Sequence, residues 1–171
     1  MKKWFVLILG LALVGRVLAV PVRAEEIESI SATKLASVRD RCDVIREDLK
    51  ALQRADSRTR VYLGRYYEIV LNKFITPLNV RLVENNLSST SFINNQNDFN
   101  KMRSSFMIDY VEYQKKLEEL ITIDCRAEPE KFYRVLVEAR AKRAVVEDDT
   151  EKLRAQATIH ENLVKALKEK I

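Results

Sequence analysis

The chain has 171 residues, 47% of them hydrophobic and 32% charged, with three Gly, three Pro and one His. So much charge with so few turn formers excludes collagen, Gly/Ser linkers and turn-rich all-β sandwiches, and the apolar fraction excludes a wholly disordered polymer. The formal charge is +5, from 30 basic and 25 acidic residues.

Residues Met1 to Ala24 read as a secretory signal peptide. Lys2 and Lys3 form a basic start, Trp4 to Val14 is apolar apart from Gly10, and Val22-Arg23-Ala24 fits a cleavage site before Glu25. Arg16 interrupts the run too early for a span of about 20 apolar residues, so no integral membrane segment is expected after cleavage. Lys2, Lys3, Arg16 and Arg23 would leave with the leader, and the mature chain would carry 26 basic against 25 acidic residues. That balance argues against nucleic acid as a partner, which calls for a basic surface. The expected location is secreted, periplasmic or extracellular.

Removing 24 residues leaves 147, the length of one domain. They hold a single Gly, Gly64, and two prolines, Pro77 and Pro129, so the remaining fold class is all-α. Leu35, Val38, Cys42, Ile45, Leu49 and Leu52 recur at steps of three and four, a heptad seam that predicts a helix over about 31–75. Asp56 and Thr59 fall next in phase, which makes Asp56-Ser57 the expected weak point; Leu63, Tyr66 and Val70 resume the seam. Pro77 is expected to end or kink this helix, leaving a short segment over 78–87.

Asn85 to Asp98 carries Asn at 85, 86, 94, 95 and 97, side chains that bond their own backbone, and reads as a loop. Phe92 and Ile93 within it form a candidate contact loop or a plug for the end of the bundle. A helix over 98–123 follows, with Phe99, Met102, Phe106, Tyr110, Tyr113, Leu117 and Leu120 on one stripe. Pro129 suits the first turn of a last helix over 129–170, whose stripe is interrupted by Arg143, Thr150 and His160.

Cys42 and Cys125 are the two cysteines, and an exported chain usually joins an even number of them. Free thiols and an intermolecular bond are the alternatives. An intramolecular bond sets a register in which Ile69 lies level with Asp98. An uninterrupted hairpin turning between Asn85 and Asp98 would instead put Cys125 beside Arg58, 16 residues from Cys42 and about 24 Å away. The bond therefore predicts that the chain leaves the helix axis near Pro77.

Catalytic patterns are missing from the sequence. One histidine cannot build a His-rich zinc site, there is no H-E-x-x-H, and no base can be nominated for a nucleophilic Ser or Cys. No enzyme activity, cofactor or metal is expected. Arg58, Arg60, Tyr62, Arg65, Tyr66 and Tyr67 cluster around Gly64. They predict either a bulky layer of the core or a binding face on which rings stack and guanidinium groups hold carboxylates. The sequence as a whole predicts an elongated antiparallel three-helix bundle or coiled coil. Its expected role is a non-enzymatic exported module of the cell envelope or extracellular space, structural or binding a protein or a second copy. A soluble module binding envelope glycan or peptide, or a holdase-like chaperone, is the alternative.

Overall fold

The computed structural model describes residues 30–170; the signal-peptide reading of residues 1–24 lies outside them. The described residues form α1 (Ala32–Asp40), α2 (Cys42–Ile69), a π-helical turn (Val70–Ile75), α3 (Thr76–Glu84), α4 (Thr90–Thr122) and α5 (Pro129–Lys168). The fold is all-α, with no strand among the described residues. No helix among them is long and apolar enough to cross a membrane.

Ser31 caps α1, its hydroxyl accepting from the Lys34 amide at 3.4 Å. The break between α1 and α2 falls at Arg41, not at Asp56-Ser57. Asp56 stays helical because its carboxylate is partnered: the Tyr113 hydroxyl donates to it at 2.7 Å and Arg143 Nε at 3.0 Å. A polar group that finds donors across the interface removes the reason for the helix to open there.

The α-helix is interrupted just before Pro77 and a short segment follows, as expected, but the chain stays helical there and remains against α4. The helix passes into the π turn, where the Thr76 amide reaches back five residues to the Leu71 carbonyl. Pro77, which has no amide to place, then occupies the first turn of α3. The real stop comes at Asn85 and Asn86. Leu87 N–H donates to Leu82 O at 2.9 Å and Asn86 N–H to Val83 O at 3.1 Å, with Asn86 at φ 54°. This is a Schellman cap with Asn in its left-handed position.

The connection to α4 is therefore only 85–89, and the loop expected to run on to Asp98 is two turns of helix. Asn95 is buried there, its amide donating to the Gln156 carbonyl at 3.2 Å, while its Oδ1 meets His160 Nδ1 at 3.2 Å. Phe92 is also buried, edge-on to His160, so the plug forms part of α4 rather than a contact loop.

Cys42 and Cys125 are joined, with Cα atoms 5.6 Å apart. From that end, Asp56 faces Tyr113, Tyr67 packs on Phe99, and the Asn79 amide donates to the Phe92 carbonyl. The α2–α3 arm and α4 thus form one antiparallel hairpin. The pairing of Tyr67 with Phe99 is the register expected from the disulfide. α5 returns along α4, as Lys116–Glu138 and Lys142–Glu112 show.

Two apolar clusters form the core. One surrounds the disulfide with Leu117, Leu120, Phe132 and Val135; the other joins Tyr67, Leu71, Ile75, Phe99, Phe106 and Leu153. The disulfide closes a loop across 83 positions. Replacing both cysteines by Ser is expected to cost up to about 4–5 kcal/mol, read as a lower urea midpoint by circular dichroism.

Candidate interaction surface

Helical phase divides the Tyr/Arg cluster of α2. Tyr67 is 3% exposed and sits edge-on to Phe99 and Phe106, at 5.9 and 6.2 Å. Arg60 is half-buried over the Tyr110 ring, 5.3 Å from its centroid. These two belong to the packing. Arg58, Tyr62 and Arg65 point outward with Val61 and Ile69, and Tyr62 is 71% exposed. Tyr66 lies at the edge of a groove beside this ridge. A Cβ at Gly64 would meet nothing within 4 Å, so no other described part of the chain approaches it closely.

Among the described residues, neither Arg58 nor Arg65 has an ion-pair partner. Between Arg54 and Arg81 the chain carries Arg54, Arg58, Arg60, Arg65, Lys73 and Arg81 against Asp56 and Glu68. A chain expected to be nearly neutral once its leader is removed thus concentrates positive charge on one arm.

The groove runs between that arm and α5, which flank α4. Its upper part, about 190 Å³, is lined by Asp56, Arg60, Tyr110, Tyr113, Arg143 and Glu147. Here Asp56 holds Tyr113 and Arg143 together, and Arg143 Nη1 also reaches Glu147 at 2.6 Å. Burial, reinforced by Asp56, raises the Tyr113 hydroxyl well above the usual phenol range; hydrogen bonding to Asp56 raises Arg143. The network is closed on itself and offers no activated nucleophile. The lower part, about 680 Å³, lies between the π turn with α3 and α5. No group of three or more His, Cys, Asp or Glu among the described residues is placed to hold a metal.

Two features escaped the sequence reading. His160, expected only as an interruption of the last helix's apolar stripe, is buried, and desolvation lowers its pKa. Asp149 is 6% exposed, and its Oδ2 has no hydrogen-bond partner. Burial raises its pKa first, and the facing Asp109 carboxyl adds to the shift. The available signal was spacing: Asp149 stands three after Val146 and four before Leu153, on the buried stripe.

Searches against protein-family models, curated proteins and solved structures find no match to this chain.

Two outcomes follow for Asp149 and for the half-buried Asp56. Because folding raises the Asp149 pKa, the stability it contributes is present below the ordinary carboxylate value and is lost as pH rises through the folded value. Asp149→Asn should therefore melt higher than wild type at pH 7, with the gap closing toward pH 4, measured by thermal melts across that range. Asp56→Ala should cost about 1–2 kcal/mol, because it strands the Tyr113 hydroxyl, with the partly exposed Arg143 contributing less. Coupling between Asp56→Ala and Tyr113→Phe in a double-mutant cycle checks it.

Proposed function

We propose that this chain is an exported, non-enzymatic protein-interaction module: an elongated antiparallel three-helix bundle, stapled at one end, that presents the outer ridge of α2 to another protein. The observation that carries the reading is the ridge itself. Arg58, Tyr62 and Arg65 are exposed at helical spacing, and the cations lack ion pairs among the described residues. The opposite face of the same helix is held in the core through Tyr67 and Leu49. Tyr and Arg are among the residue types that dominate interface energetics, since each combines large contact area with directed polar contacts. A rigid helix supplies them preorganised.

The cell envelope or extracellular space fits the expected leader and the joined cysteines. A glycan- or peptide-binding role is the second reading, favoured by Tyr66, whose ring is half-exposed at the groove edge.

The test uses the mature protein as bait in the envelope and extracellular fractions of its own cells. Tyr62→Ala with Arg65→Ala should reduce capture of the specific partner by about tenfold or more, the loss of roughly 1.4 kcal/mol or more of binding energy. Far-UV circular dichroism should stay unchanged, since both side chains face solvent. Capture that survives the double substitution argues against the ridge.

A further inference from the structure

We infer that the lower groove, between the π turn with α3 and α5, binds an acidic amphipathic helix of a partner protein. The inference rests on reading the chain as a protein-interaction module and adds a second contact surface with a stated chemistry.

The groove floor and walls are apolar where Val70, Leu78, Ala157 and Val164 line them, and Phe74 stands 61% exposed at the rim. Its charges are unbalanced. Lys73 and Arg81 line it without an ion pair among the described residues, and Arg154 is held only by Glu151 one turn back on its own helix. Glu161 is the one acid in the lining, and Lys165 already takes it at 2.8 Å. His160 lines the groove as a buried imidazole whose lowered pKa keeps it neutral near pH 7. An occupant must therefore bring both apolar surface and carboxylates.

Backbone chemistry selects a helix. Both walls are helical, with their amides and carbonyls internally satisfied, so an extended segment would find no edge to pair with and would leave its own backbone groups unpaired. A helical segment carries its hydrogen bonds with it. The α5 wall from Arg154 to Val164 is 11 residues, about 16 Å at 1.5 Å per residue, which matches roughly three turns. Such a helix would lie between the two walls, with apolar side chains at i, i+3, i+4 and i+7 facing inward and Asp or Glu on its flanks.

Charge decides among occupants. A second copy docked two-fold through this face would set one cation-rich lining, with Lys73, Arg81 and Arg154, against another of the same sign. The groove-side acids of its α5, Glu147, Glu151 and Glu161, are already in ion pairs. A bilayer is flat and would touch the lips of a concave site without filling it. An acid-flanked partner helix meets both the shape and the charge.

The experiment selects helix-constrained peptides from a display library against the mature, disulfide-intact protein, then measures the selected peptides by fluorescence anisotropy. The expected result is enrichment of apolar i, i+3, i+4 patterns flanked by Asp and Glu. Lys73→Glu with Arg81→Glu should weaken their binding by about tenfold or more. Both side chains are exposed, and Phe74→Ala provides a second variant that should also weaken binding. Tyr62→Ala with Arg65→Ala should leave peptide affinity unchanged, which separates this groove from the ridge. No enrichment, enrichment of basic or neutral peptides, or affinity indifferent to the charge reversal would overturn the inference. So would saturable binding of phosphatidylglycerol vesicles that depends on Lys73 and Arg81, with no selected peptide competing.

Discussion

One covalent contact, Cys42 to Cys125, fixes which residues of α2 can lie against α4. Once those two positions are level, Asp56 must meet Tyr113, and Tyr67 must meet Phe99. A shift by one turn would give up the Tyr113–Asp56 hydrogen bond, and a shift toward Leu117 would set that carboxylate against an apolar side chain. The disulfide and the buried polar contact therefore specify the same alignment from different points along the hairpin. At the other end Asn79, Gln96 and Thr76 repeat the arrangement, Gln96 Nε2 donating to Thr76 Oγ1 at 3.0 Å. Between α4 and α5 the part is taken by Asn95, Gln156 and His160. Each polar layer contributes little net stability, since its groups trade water for protein partners. Misalignment, however, would leave several buried groups unpaired at once, so the layers contribute chiefly to uniqueness.

Much of this was legible in the sequence. The seam from Leu35 to Leu52, the stripe from Phe99 to Leu120 and the near absence of Gly and Pro give the all-α class and the long helices. The cysteine register was legible as geometry, and so was an interruption near Pro77, which is the π turn leading into α3, but the deduction of a long loop off the helix axis failed. It assumed that the Asn-rich segment was loop. Asn side chains stabilise loops only when they have nothing better to bond than their own backbone. Asn85 behaves that way, its amide donating to the Arg81 carbonyl, and Asn86 supplies the left-handed residue of the cap; Asn95 has Gln156 and His160 across the interface. Those partners lie 61 and 65 positions along the chain, beyond any local pattern. With α4 starting at Thr90, the arm and the return helix lengthen together and the cysteines meet without a detour.

The candidate site was legible in composition and partly hidden in orientation. The Tyr/Arg density around Gly64 is plain in the sequence. Which rings face out depends on the helical phase relative to a core centred on Leu49 and Tyr67 rather than on Tyr66, the residue that the heptad spacing selects. A strict seven-residue repeat drifts against a straight helix, so extrapolating it across Asp56 and Thr59 misplaces the face by one position. The buried Asp149 was hidden for a related reason: Thr150, its neighbour, satisfies the spacing equally well.

The open groove is itself a consequence of residue choice. α2 offers Thr59 and Tyr66 toward α5, and the π turn offers Lys73 and Phe74. Facing them, α5 offers Thr150, Ala157 and Thr158, which are small or polar. The apolar residues that line the walls, Leu63, Val70 and Leu78 on one and Val146, Ala157 and Val164 on the other, stay only partly buried. Each wall instead spends its large apolar residues on α4: Tyr67, Leu71 and Ile75 from one side, Phe132, Val135 and Leu153 from the other. Hydrophobic burial scales with the apolar area removed from water, so the contacts with α4 close and the contact between the walls does not. A groove that no described residue fills is a preformed one, and an occupant need only supply apolar area to match the partly buried side chains of the lining and the negative charge that the walls lack.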